Sequence, residues 1–338
     1  MSCILGLDTS NYKTSLALIR GDETIADLRQ FLKVREGERG LRQSEALFQH
    51  VQNLPELFGQ LRGSLGSNFD VSIDGVAYST RPRAVTGSYM PCFTAGASQA
   101  ASIASALDVP AVGFSHQEGH IEASVASFDK RPEGDFLACH FSGGTCEVLI
   151  VRQKEHQPHC ADTFCRCDGE RAFYDIDIIG GTRDISYGQV LDRAGVMLGL
   201  PFPCGQALDE QALSAGSNTN VLTGIKAKDA FVHLSGFDTQ LRNRLADAKA
   251  GTLKTEELIR EAFIRISDSI VKMLRQSAEQ TDQTAIYMSG GVSSSRFLKE
   301  HVTKQLRRDG IDVFFTSPEL SSDNAVGTAL LGRRYLWG

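Results

Sequence analysis

The sequence predicts an α/β fold with two related lobes, and three observations support this prediction. Apolar, strand-like runs alternate with helical stretches along the whole chain. A pattern of strand, polar turn and strand opens the chain in CILGLDTSNYKTSLALI and returns about 130 residues later in FLACHFSGGTCEVLIV. At 338 residues, the chain also exceeds the usual size of one hydrophobic core, so two lobes are expected.

Further elements follow the first hairpin in order. LRQSEALFQHVQNLPELFGQLR carries apolar residues at helical spacing, although Pro55 predicts a kink or a restart of this helix. IDGVAYS then predicts a buried strand, TAGASQAASIASALDV an alanine-rich helix, PAVGFS a short strand, and HQEGHIEASVAS a helix that Ser115 caps. This β-α-β-α succession is typical of an α/β protein.

After the second hairpin, TEELIREAFIRISDSIVKMLRQSAEQ predicts the longest helix. The strand TAIYMSGGV follows and ends in Gly290 and Gly291, and SSSRFLKEHVTKQLRR predicts the helix after it. DVFFTS predicts a strand, and SDNAVGTALLGRRYLW predicts a last helix that begins beside Asp323. A strand that runs through glycines into a helix N-terminus is a place where backbone N–H groups meet a nucleotide.

The composition is that of a globular protein without membrane spans. Hydrophobic residues make up 41% of the chain and charged residues 22%. No apolar run approaches the roughly 20 residues that span a bilayer, and the start MSCILGLDTS has neither a basic region nor a cleavage signal. Eight scattered cysteines indicate reduced thiols rather than a disulfide framework. We therefore expect a cytoplasmic protein that does not contact a membrane.

The charge balance limits how the chain could bind nucleic acid. A net charge of −6 and a pI near 5.8 exclude a broad electrostatic footprint, so any RNA contact must be local or shared with a partner. Arg81 and Arg83 in STRPRAVTG are one local source of positive charge. The segment RQFLKVREGERGLR is another, but the interleaved Glu36 and Glu38 favour a solvated surface.

His116 and His120 in GFSHQEGHIEA are four residues apart, so both imidazoles lie on one helix face and reach one ion. Asp323 in SSDNAVG is the candidate third ligand, and two histidines with one carboxylate keep positions open for substrate or water. A zinc protease of the H-E-x-x-H type needs Glu where this chain has Gln117, and Glu118 faces away from the ion. An isolated H-x-x-x-H pair is common without a metal, so the rest of the chain must decide.

A second group of metal-ligating residue types lies in KEHQPHCADTFCRCDGE and consists of His156, His159, Cys160, Cys165 and Cys167. Its spacing matches no C-x-x-C knuckle, and Cys165 and Cys167 alternate as neighbours in a strand do. This spacing argues against a second metal site.

Four polar turns that carry glycine recur at strand ends: DTSNYKT, HFSGGT, PCGQALDE and SGGVSSS. Glycine lets the main chain approach a phosphate or a sugar closely, and exposed amides donate to anionic oxygen. Asp192, thirteen residues before Gly205, is a candidate acceptor for ribose hydroxyls, with a plain surface charge as the alternative. Together these turns predict a nucleotide-type ligand held between lobes.

Eight motifs, in order over essentially the whole chain, resemble those of one family: GLDTSNYKTSLAL, IDGVAYS, SHQEGH, FSGGT, GQVLDRAGVMLGLPFPCG, LSGFDTQLRN, SGGVSSSRFL and SSDNAVG. The family is the catalytic subunit of tRNA N6-threonylcarbamoyladenosine synthase (TsaD type), once labelled O-sialoglycoprotein endopeptidase. The resemblance implies the two-lobed fold of actin, Hsp70 and sugar kinases. We expect residues 1–112 plus 320–338 to form an N-terminal lobe and residues 113–319 a C-terminal lobe, with nucleotide and metal in the cleft between them.

The resemblance also implies a reaction and its residues. In the family, threonylcarbamoyl-adenylate, which a separate enzyme makes from threonine, bicarbonate and ATP, gives its carbamoyl group to N6 of adenosine 37 in tRNAs reading codons that begin with A. His116, His120 and Asp323 would hold one Fe²⁺ or Zn²⁺ ion that acts as a Lewis acid, and Asp8 would order the leaving phosphate. The implied adenylate site comprises His140, Phe141, Ser142, Gly143, Gly144, Asp192, Gly205, Gly290, Gly291 and Ser295.

The resemblance also implies that the chain acts with partner proteins. Such proteins act on tRNA together with a smaller paralogue of the same fold and a P-loop ATPase, so we expect a heteromeric assembly whose partners share the tRNA-binding surface.

The chain departs from the family pattern at Arg81, Arg83, Thr145, Gly181, Ile185, Gln189 and Ser295. A divergent nucleotide-binding paralogue that acts as a scaffold or regulatory partner is therefore a second interpretation. A small-molecule kinase is a third, although a kinase has no need of the histidine pair.

Overall fold

A computed structural model describes the protein over residues 1–10, 12–34, 41–66, 72–154, 164–166 and 173–337. The strands of these residues are β1 (Cys3–Asp8), β2 (Lys13–Arg20), β3 (Glu23–Phe31), β4 (Gly75–Arg81), β5 (Ala111–Ser115), β6 (Phe136–Phe141), β7 (Cys146–Gln153), β8 (Phe164–Arg166), β9 (Tyr174–Thr182), β10 (Ala227–Lys228), β11 (Phe231–Val232), β12 (Ala285–Ser289) and β13 (Asp312–Phe315). The helices are α1 (Gln43–Leu65), α2 (Phe93–Leu107), α3 (His116–Ala126), α4 (Tyr187–Met197), α5 (Gly205–Ser214), α6 (Ser235–Lys249), α7 (Thr255–Thr281), α8 (Arg296–Leu306) and α9 (Val326–Trp337).

Two sheets with the same internal plan organise the described part of the chain. One has the strand order β3-β2-β1-β4-β5-β8, and the other has the order β10-β11-β9-β7-β6-β12-β13. In each, an antiparallel hairpin (β1 with β2, or β6 with β7) continues into two parallel strands (β4 and β5, or β12 and β13). The predicted α/β class and the predicted repeat of the opening hairpin are therefore confirmed.

The chain divides into two compact units. The first comprises Met1–Arg131, Gln153–Asp175 and Ser322–Gly338, and the second comprises Pro132–Arg152 and Ile176–Ser321. This division differs from the expected C-terminal lobe of residues 113–319, because residues 113–131, which include α3, and Gln153–Asp175 belong to the first unit. Helix α3 packs against α9 and also contacts β4 and β5, so it shares the core of the N-terminal strands.

Helix α3 agrees with the sequence pattern, whereas α1 is one helix and does not restart at Pro55. Helix α3 begins at His116, directly after Ser115, as predicted. Helix α1 continues through Pro55, where a kink or a restart is predicted. Leu54 and Leu57 on either side of the proline are fully buried, so packing stabilises the helix despite the missing N–H donor.

Several elements have no clear signal in the sequence. Strand β3 lies at a sheet edge and is partly exposed on both faces, so its residues show no alternation of apolar and polar types. Helix α5 begins at Gly205, inside a stretch that the pattern presents as a polar turn. Among the described residues, no helix combines the length and the apolar character that a membrane crossing requires.

Candidate metal centre

The histidine pair lies in the first turns of α3, and a capping box fixes where that helix starts. The Ser115 hydroxyl accepts from the Glu118 backbone N–H at 3.2 Å, and Glu118 Oε2 accepts from the Ser115 backbone N–H at 2.9 Å. Glu118 is fully buried and points away from the histidines, as the helical geometry predicts. His116 and His120 face each other with 2.9 Å between their Nε2 atoms.

Asp323 meets this pair from the far end of the chain. Its Oδ1 lies 3.3 Å from His120 Nε2 and 3.6 Å from His116 Nε2. The side chain of Asn324 holds the backbone on both sides of Asp323, because it donates to Ser322 O at 2.9 Å and accepts from the Gly327 N–H at 3.2 Å. The structure thus brings the three predicted ligand residues together.

The spacing and chemistry of these donors fit one divalent ion. One ligand atom from each residue lies within 4.8 Å of the others. Two ligands about 2.1 Å from one ion lie about 3.0–3.4 Å apart at octahedral or tetrahedral angles, close to the observed separations. Two imidazoles and one carboxylate suit Zn²⁺ or non-haem Fe²⁺ and leave coordination positions open.

Asp8 lies one layer behind the three donors, at the end of β1. Its Oδ2 accepts from His116 Nδ1 at 2.7 Å, while Oδ1 accepts from the Ser79 hydroxyl at 2.8 Å and the Ser10 backbone N–H at 2.9 Å. The buried Asp8 carboxylate is thus engaged by protein donors. This contact suits a role in orienting the His116 imidazole, and the phosphate-ordering role that the family resemblance implies for Asp8 stays a prediction.

Opposite charges and hydrogen bonds outweigh burial in setting the pKa of Asp323 and of His116, whereas burial prevails at His120. Burial favours a higher pKa for Asp323, but hydrogen bonds from His116 and His120 hold that pKa well below its usual range. Burial favours a lower pKa for His116, but the charge of Asp8 and contacts with Asp323 raise it to about 10. Burial and the charge of His116 lower the pKa of His120. The centre therefore stabilises a positive charge, whether a proton or a metal ion.

Two cationic side chains beside Asp323 were not singled out by the sequence analysis as site residues. Arg29 Nη1 donates to the Ser322 hydroxyl at 3.1 Å. Lys13 is close enough to Asp323 for that carboxylate to raise its pKa, although burial, the larger effect, lowers it. In the sequence, Lys13 is marked as a candidate site residue only by its place in the polar turn DTSNYKT, which follows the strand that carries Asp8.

The segment that carries Arg81, at the end of β4, and Arg83, just after it, contacts the start of α3. The Gln117 backbone N–H donates to Pro82 O at 3.1 Å, so this segment contacts the residue that directly follows His116. The Ser88 hydroxyl accepts from the Arg83 backbone N–H at 3.1 Å and shapes the loop. The two arginines therefore lie on a segment that borders the metal centre.

In the second unit, the predicted glycine turns converge. His140 Nδ1 lies 3.2 Å from Ser289 Oγ, at the end of β12. Gly290 has φ +93°, and a Cβ there would lie 2.3 Å from Phe141 O, so only glycine fits without a backbone shift. The Ser142 hydroxyl accepts from the N–H groups of Gly144 and Thr145 at 3.3 Å and 3.0 Å. The turns after β6 and β12 thus lie side by side, and Gly291 continues the second of them.

Asp192 and Ser295 have protein partners in the same unit. Asp192 Oδ1 accepts from the Cys204 backbone N–H at 2.9 Å, which ties α4 to the start of α5 at Gly205. Ser295 caps α8 by accepting from the Leu298 N–H at 3.1 Å, and its hydroxyl donates to Asp209 on α5. Both residues therefore hold the helices that flank the glycine turns, and a ligand contact from either remains a prediction.

Two departures from the family pattern have local structural explanations. Gln189 completes a capping box with Ser186 at the start of α4, the structural task of a glutamate at that position. Gly181 has φ +142°, and a Cβ there would lie 2.3 Å from Cys146 O, so this backbone excludes an acidic side chain. Gly143 O accepts from the Ser186 hydroxyl at 2.6 Å, which joins the β6–β7 turn to α4.

The His/Cys group whose spacing argues against a second metal site lies mostly outside the described residues, so that prediction stays untested. His156, His159, Cys160 and Cys167 lie in the undescribed stretches 155–163 and 167–172, and Cys165 lies in the short strand β8.

Comparisons with known proteins agree with these features. The family profile described as TsaD, tRNA N6-adenosine threonylcarbamoyltransferase, matches residues 33–164 and 169–330. A relative from Syntrophus aciditrophicus (strain SB), described as tRNA N6-adenosine threonylcarbamoyltransferase, is 26% identical over 341 residues that cover 98% of this chain and 92% of the relative.

Among solved structures, the fold is similar to that of full-length HypF in its phosphate- and nucleotide-bound form, with a TM-score of 0.56 and 12% identity over 100% of this chain. The chain spans about half of HypF, 47% of its length. It is also similar to the activator of 2-hydroxyisocaproyl-CoA dehydratase from Clostridium difficile with bound ADPNP, with a TM-score of 0.52 and 13% identity over 97% of this chain and 93% of that protein. These proteins share the actin, Hsp70 and sugar-kinase fold, so the predicted fold is confirmed.

Proposed function

The chain belongs to the tRNA N6-adenosine threonylcarbamoyltransferase family, and from this premise we propose that it transfers the threonylcarbamoyl group from threonylcarbamoyl-adenylate to N6 of adenosine 37, with the help of one Fe²⁺ or Zn²⁺ ion. The observation that supports metal assistance is the convergence of His116, His120 and Asp323 within 4.8 Å. The acceptors are tRNAs that read codons beginning with A, and the expected compartment is the cytoplasm.

The proposed reaction replaces one bond to the carbamoyl carbon by another. The N6 amine forms a C–N bond with that carbon, the C–O bond to the adenylate phosphate breaks, AMP leaves with the bonding pair, and the amine loses a proton. When bound, the ion supplies Lewis-acid polarisation of oxygen atoms, which lowers the barrier for a weakly nucleophilic amine. The chain's own residues hold the ion and the donor in place.

Each residue of the metal centre has a distinct proposed task. Asp8 accepts a hydrogen bond from the Nδ1–H group of His116, which leaves the Nε2 lone pair facing the ion position. Asp323 contributes the negative charge that balances the cation. Lys13, which lies near Asp323, is suited to attract the carboxylate and phosphate groups of the donor, whereas Arg29 beside Ser322 already pairs with Asp27.

The adenylate is proposed to bind the converging glycine turns of the second unit. The backbone N–H groups of Gly143 and Gly291 are the proposed donors for phosphate or ribose oxygens, because the N–H groups of Gly144 and Gly290 donate to Ser142 and Ser321. The proximity of the two turns, through His140 with Ser289 and Phe141 with Gly290, supports this assignment. Asp192, Gly205 and Ser295 complete the proposed site by positioning α5 and α8 around it.

The proposed reaction needs partners. The family acts with tRNA and partner subunits, and we propose a smaller subunit of the same fold and a P-loop ATPase. The net charge of −6 fits a tRNA surface shared with these partners.

The test is transfer in a reconstituted system. The purified chain, with its partners, threonylcarbamoyl-adenylate and tRNA lacking the modification, should yield threonylcarbamoyl-adenosine, measured by mass spectrometry of digested tRNA. His116→Ala should abolish the product while leaving the circular dichroism spectrum unchanged. His233→Ala is the matched control, because that side chain is 75% exposed and lies in the other unit, and it should retain activity.

The alternatives give other outcomes in the same system. A nucleotide-binding scaffold or regulatory paralogue would bind ATP and a partner protein but form no product with all partners present. A small-molecule kinase would transfer phosphate from ATP to a hydroxyl compound, and His116→Ala would leave that activity intact.

A further inference from the structure

Helices α3 and α9, which carry or adjoin the three candidate metal ligands, touch through glycine backbones. A Cβ at Gly327 would lie 1.9 Å from Gly119 O and 2.9 Å from Ala123 N. A Cβ at Gly119 would lie 2.9 Å from the Thr328 hydroxyl. All three separations are shorter than the 3.0 Å below which real Cβ atoms essentially never approach another atom, so the two helix backbones are closer than a residue with a Cβ permits.

This contact is adjacent to every ligand residue. Gly119 lies between His116 and His120, and Gly327 is four residues after Asp323. The connection from Asp323 into α9 is also seated on β1, because a Cβ at Gly6 would lie 2.5 Å from Ala325 O. Gly6 precedes Asp8 by two residues on the same strand. Close backbone contacts therefore lie beside the histidines on α3, beside Asp323 just before α9, and on β1 near Asp8.

A buried cluster of charges joins the same two helices one or two turns further on. Glu122 of α3 is fully buried, and its carboxylate accepts from Arg334 Nη1 of α9 at 2.6 Å, from Tyr174 Oη at 2.7 Å and from Arg131 Nη2 at 2.5 Å. The Arg334 guanidinium also lies 4.7 Å from the centre of the Phe173 ring. The ion pair between Glu122 and Arg334 therefore fixes how far one helix can slide along the other.

We propose that the Gly119–Gly327 contact and the Glu122–Arg334 ion pair are positioning elements that set the distance between the histidine pair and Asp323, and thereby the affinity of this centre for its metal ion. The inference rests on the metal centre of the proposed function. Ligand distances in metal sites are held within about 0.2 Å, so a small separation of α3 from α9 moves Asp323 Oδ1 out of bonding range.

The decisive experiment compares two glycines of the same helix. Gly327→Ala inserts a methyl group between α9 and α3, whereas Gly332→Ala inserts one against the sheet, where a Cβ would lie 2.5 Å from the Ala77 Cβ. Both substitutions overpack α9 and should lower stability. Zn²⁺ affinity of the purified full chain is measured by competition with a chromogenic chelator, and Co²⁺ absorption reports ligand geometry.

We expect Gly327→Ala to weaken Zn²⁺ binding by about tenfold or more and to change the Co²⁺ spectrum. Gly332→Ala should bind Zn²⁺ like the wild type despite its lower stability. The inference is overturned if Gly327→Ala keeps wild-type affinity, or if both variants lose affinity to the same extent. If the wild type binds no Zn²⁺, or if His116→Ala leaves its Zn²⁺ affinity unchanged, the proposed metal centre itself fails and the inference fails with it.

A second pair of variants decides the question if Gly327→Ala does not fold. Arg334→Gln removes a partly exposed arginine that pairs with the buried Glu122, whereas Arg333→Gln removes the neighbouring arginine, which pairs with the exposed Asp22. Arg334→Gln should weaken Zn²⁺ binding by about tenfold, and Arg333→Gln should leave it unchanged. Equal Zn²⁺ affinities in these two variants would contradict the role of the ion pair.

Discussion

The Asp8 carboxylate and the His116 imidazole form a hydrogen bond of 2.7 Å between Oδ2 and Nδ1. An acceptor at Nδ1 fixes the tautomer in which Nδ1 carries the proton, so the Nε2 lone pair is available to a metal ion. The two residues are 108 positions apart in the chain, and the end of β1 and the start of α3 bring them together.

Asp8→Asn should lower the affinity for Zn²⁺ by about 10–100-fold while the chain stays folded. The Ser79 hydroxyl and the Ser10 N–H donate to Asp8 Oδ1, so the amide oxygen should keep that position and the amide NH₂ should face His116. Because this NH₂ group donates to Nδ1 of His116, the imidazole proton must lie on Nε2, the atom that would bind the metal ion. Chelator competition measures the affinity.

Asp177→Asn is the matched control for this substitution, because Asp177 is 63% exposed and pairs with Arg152. It should leave Zn²⁺ affinity unchanged. An Asp8→Asn variant that binds Zn²⁺ as tightly as the wild type would show that Asp8 does not orient His116.

His50 should make the stability of the fold depend on pH. Burial lowers its pKa from 6.5 to about 4, and its Nδ1 pairs with the Thr14 hydroxyl at 2.9 Å. Between pH 6.5 and pH 4 the unfolded chain binds a proton at His50 that the folded chain does not. The contribution of His50 to the free energy of unfolding is therefore at its full value above pH 6.5 and falls as the pH decreases toward 4. The loss is on the order of 3 kcal/mol.

Urea unfolding from pH 7.5 to 4 measures this effect as the difference between the wild type and His50→Gln. Glutamine can accept the Thr14 hydrogen bond but does not titrate. The difference in free energy of unfolding should shift in favour of the glutamine variant as the pH falls. A constant difference over this range would contradict the lowered pKa of His50.

Gly290→Ala should weaken adenine-nucleotide binding and lower stability by about 1–3 kcal/mol. At φ +93°, a Cβ would lie 2.3 Å from Phe141 O, so the turn after β12 must move away from the turn after β6. Gly236→Ala is the control, because its Cβ would meet no atom within 4 Å. Calorimetric titration with a non-hydrolysable ATP analogue should show weaker binding for Gly290→Ala alone, and equal affinities would argue against this site.

The sequence predicts local relationships well. The spacing of His116 and His120 on one helix, the capping by Ser115 and the hairpins at β1–β2 and β6–β7 all follow from residues near in the chain. Asp323 was also found from sequence, through the motif SSDNAVG. These features depend on short-range periodicity and on motifs, which a single sequence contains.

Other features depend on contacts between distant segments and leave no local pattern. The buried acids Asp8 and Glu122 are such cases, because their partners His116 and Arg334 lie 108 and 212 residues away. The Gly119–Gly327 contact is another, since a lone glycine in a helical stretch does not indicate which segment approaches it. The expected lobe boundary after residue 112 differs from the structure for the same reason, because the packing of α3 on α9 assigns α3 to the first unit.

The most direct test of the metal centre is anomalous diffraction from crystals of the purified protein, measured on both sides of the zinc and iron absorption edges. We expect one anomalous peak about 2.0–2.2 Å from Nε2 of His116, Nε2 of His120 and an Oδ atom of Asp323. Crystals of a metal-loaded protein with no peak at these three side chains, or with the ion bound elsewhere, would contradict this prediction.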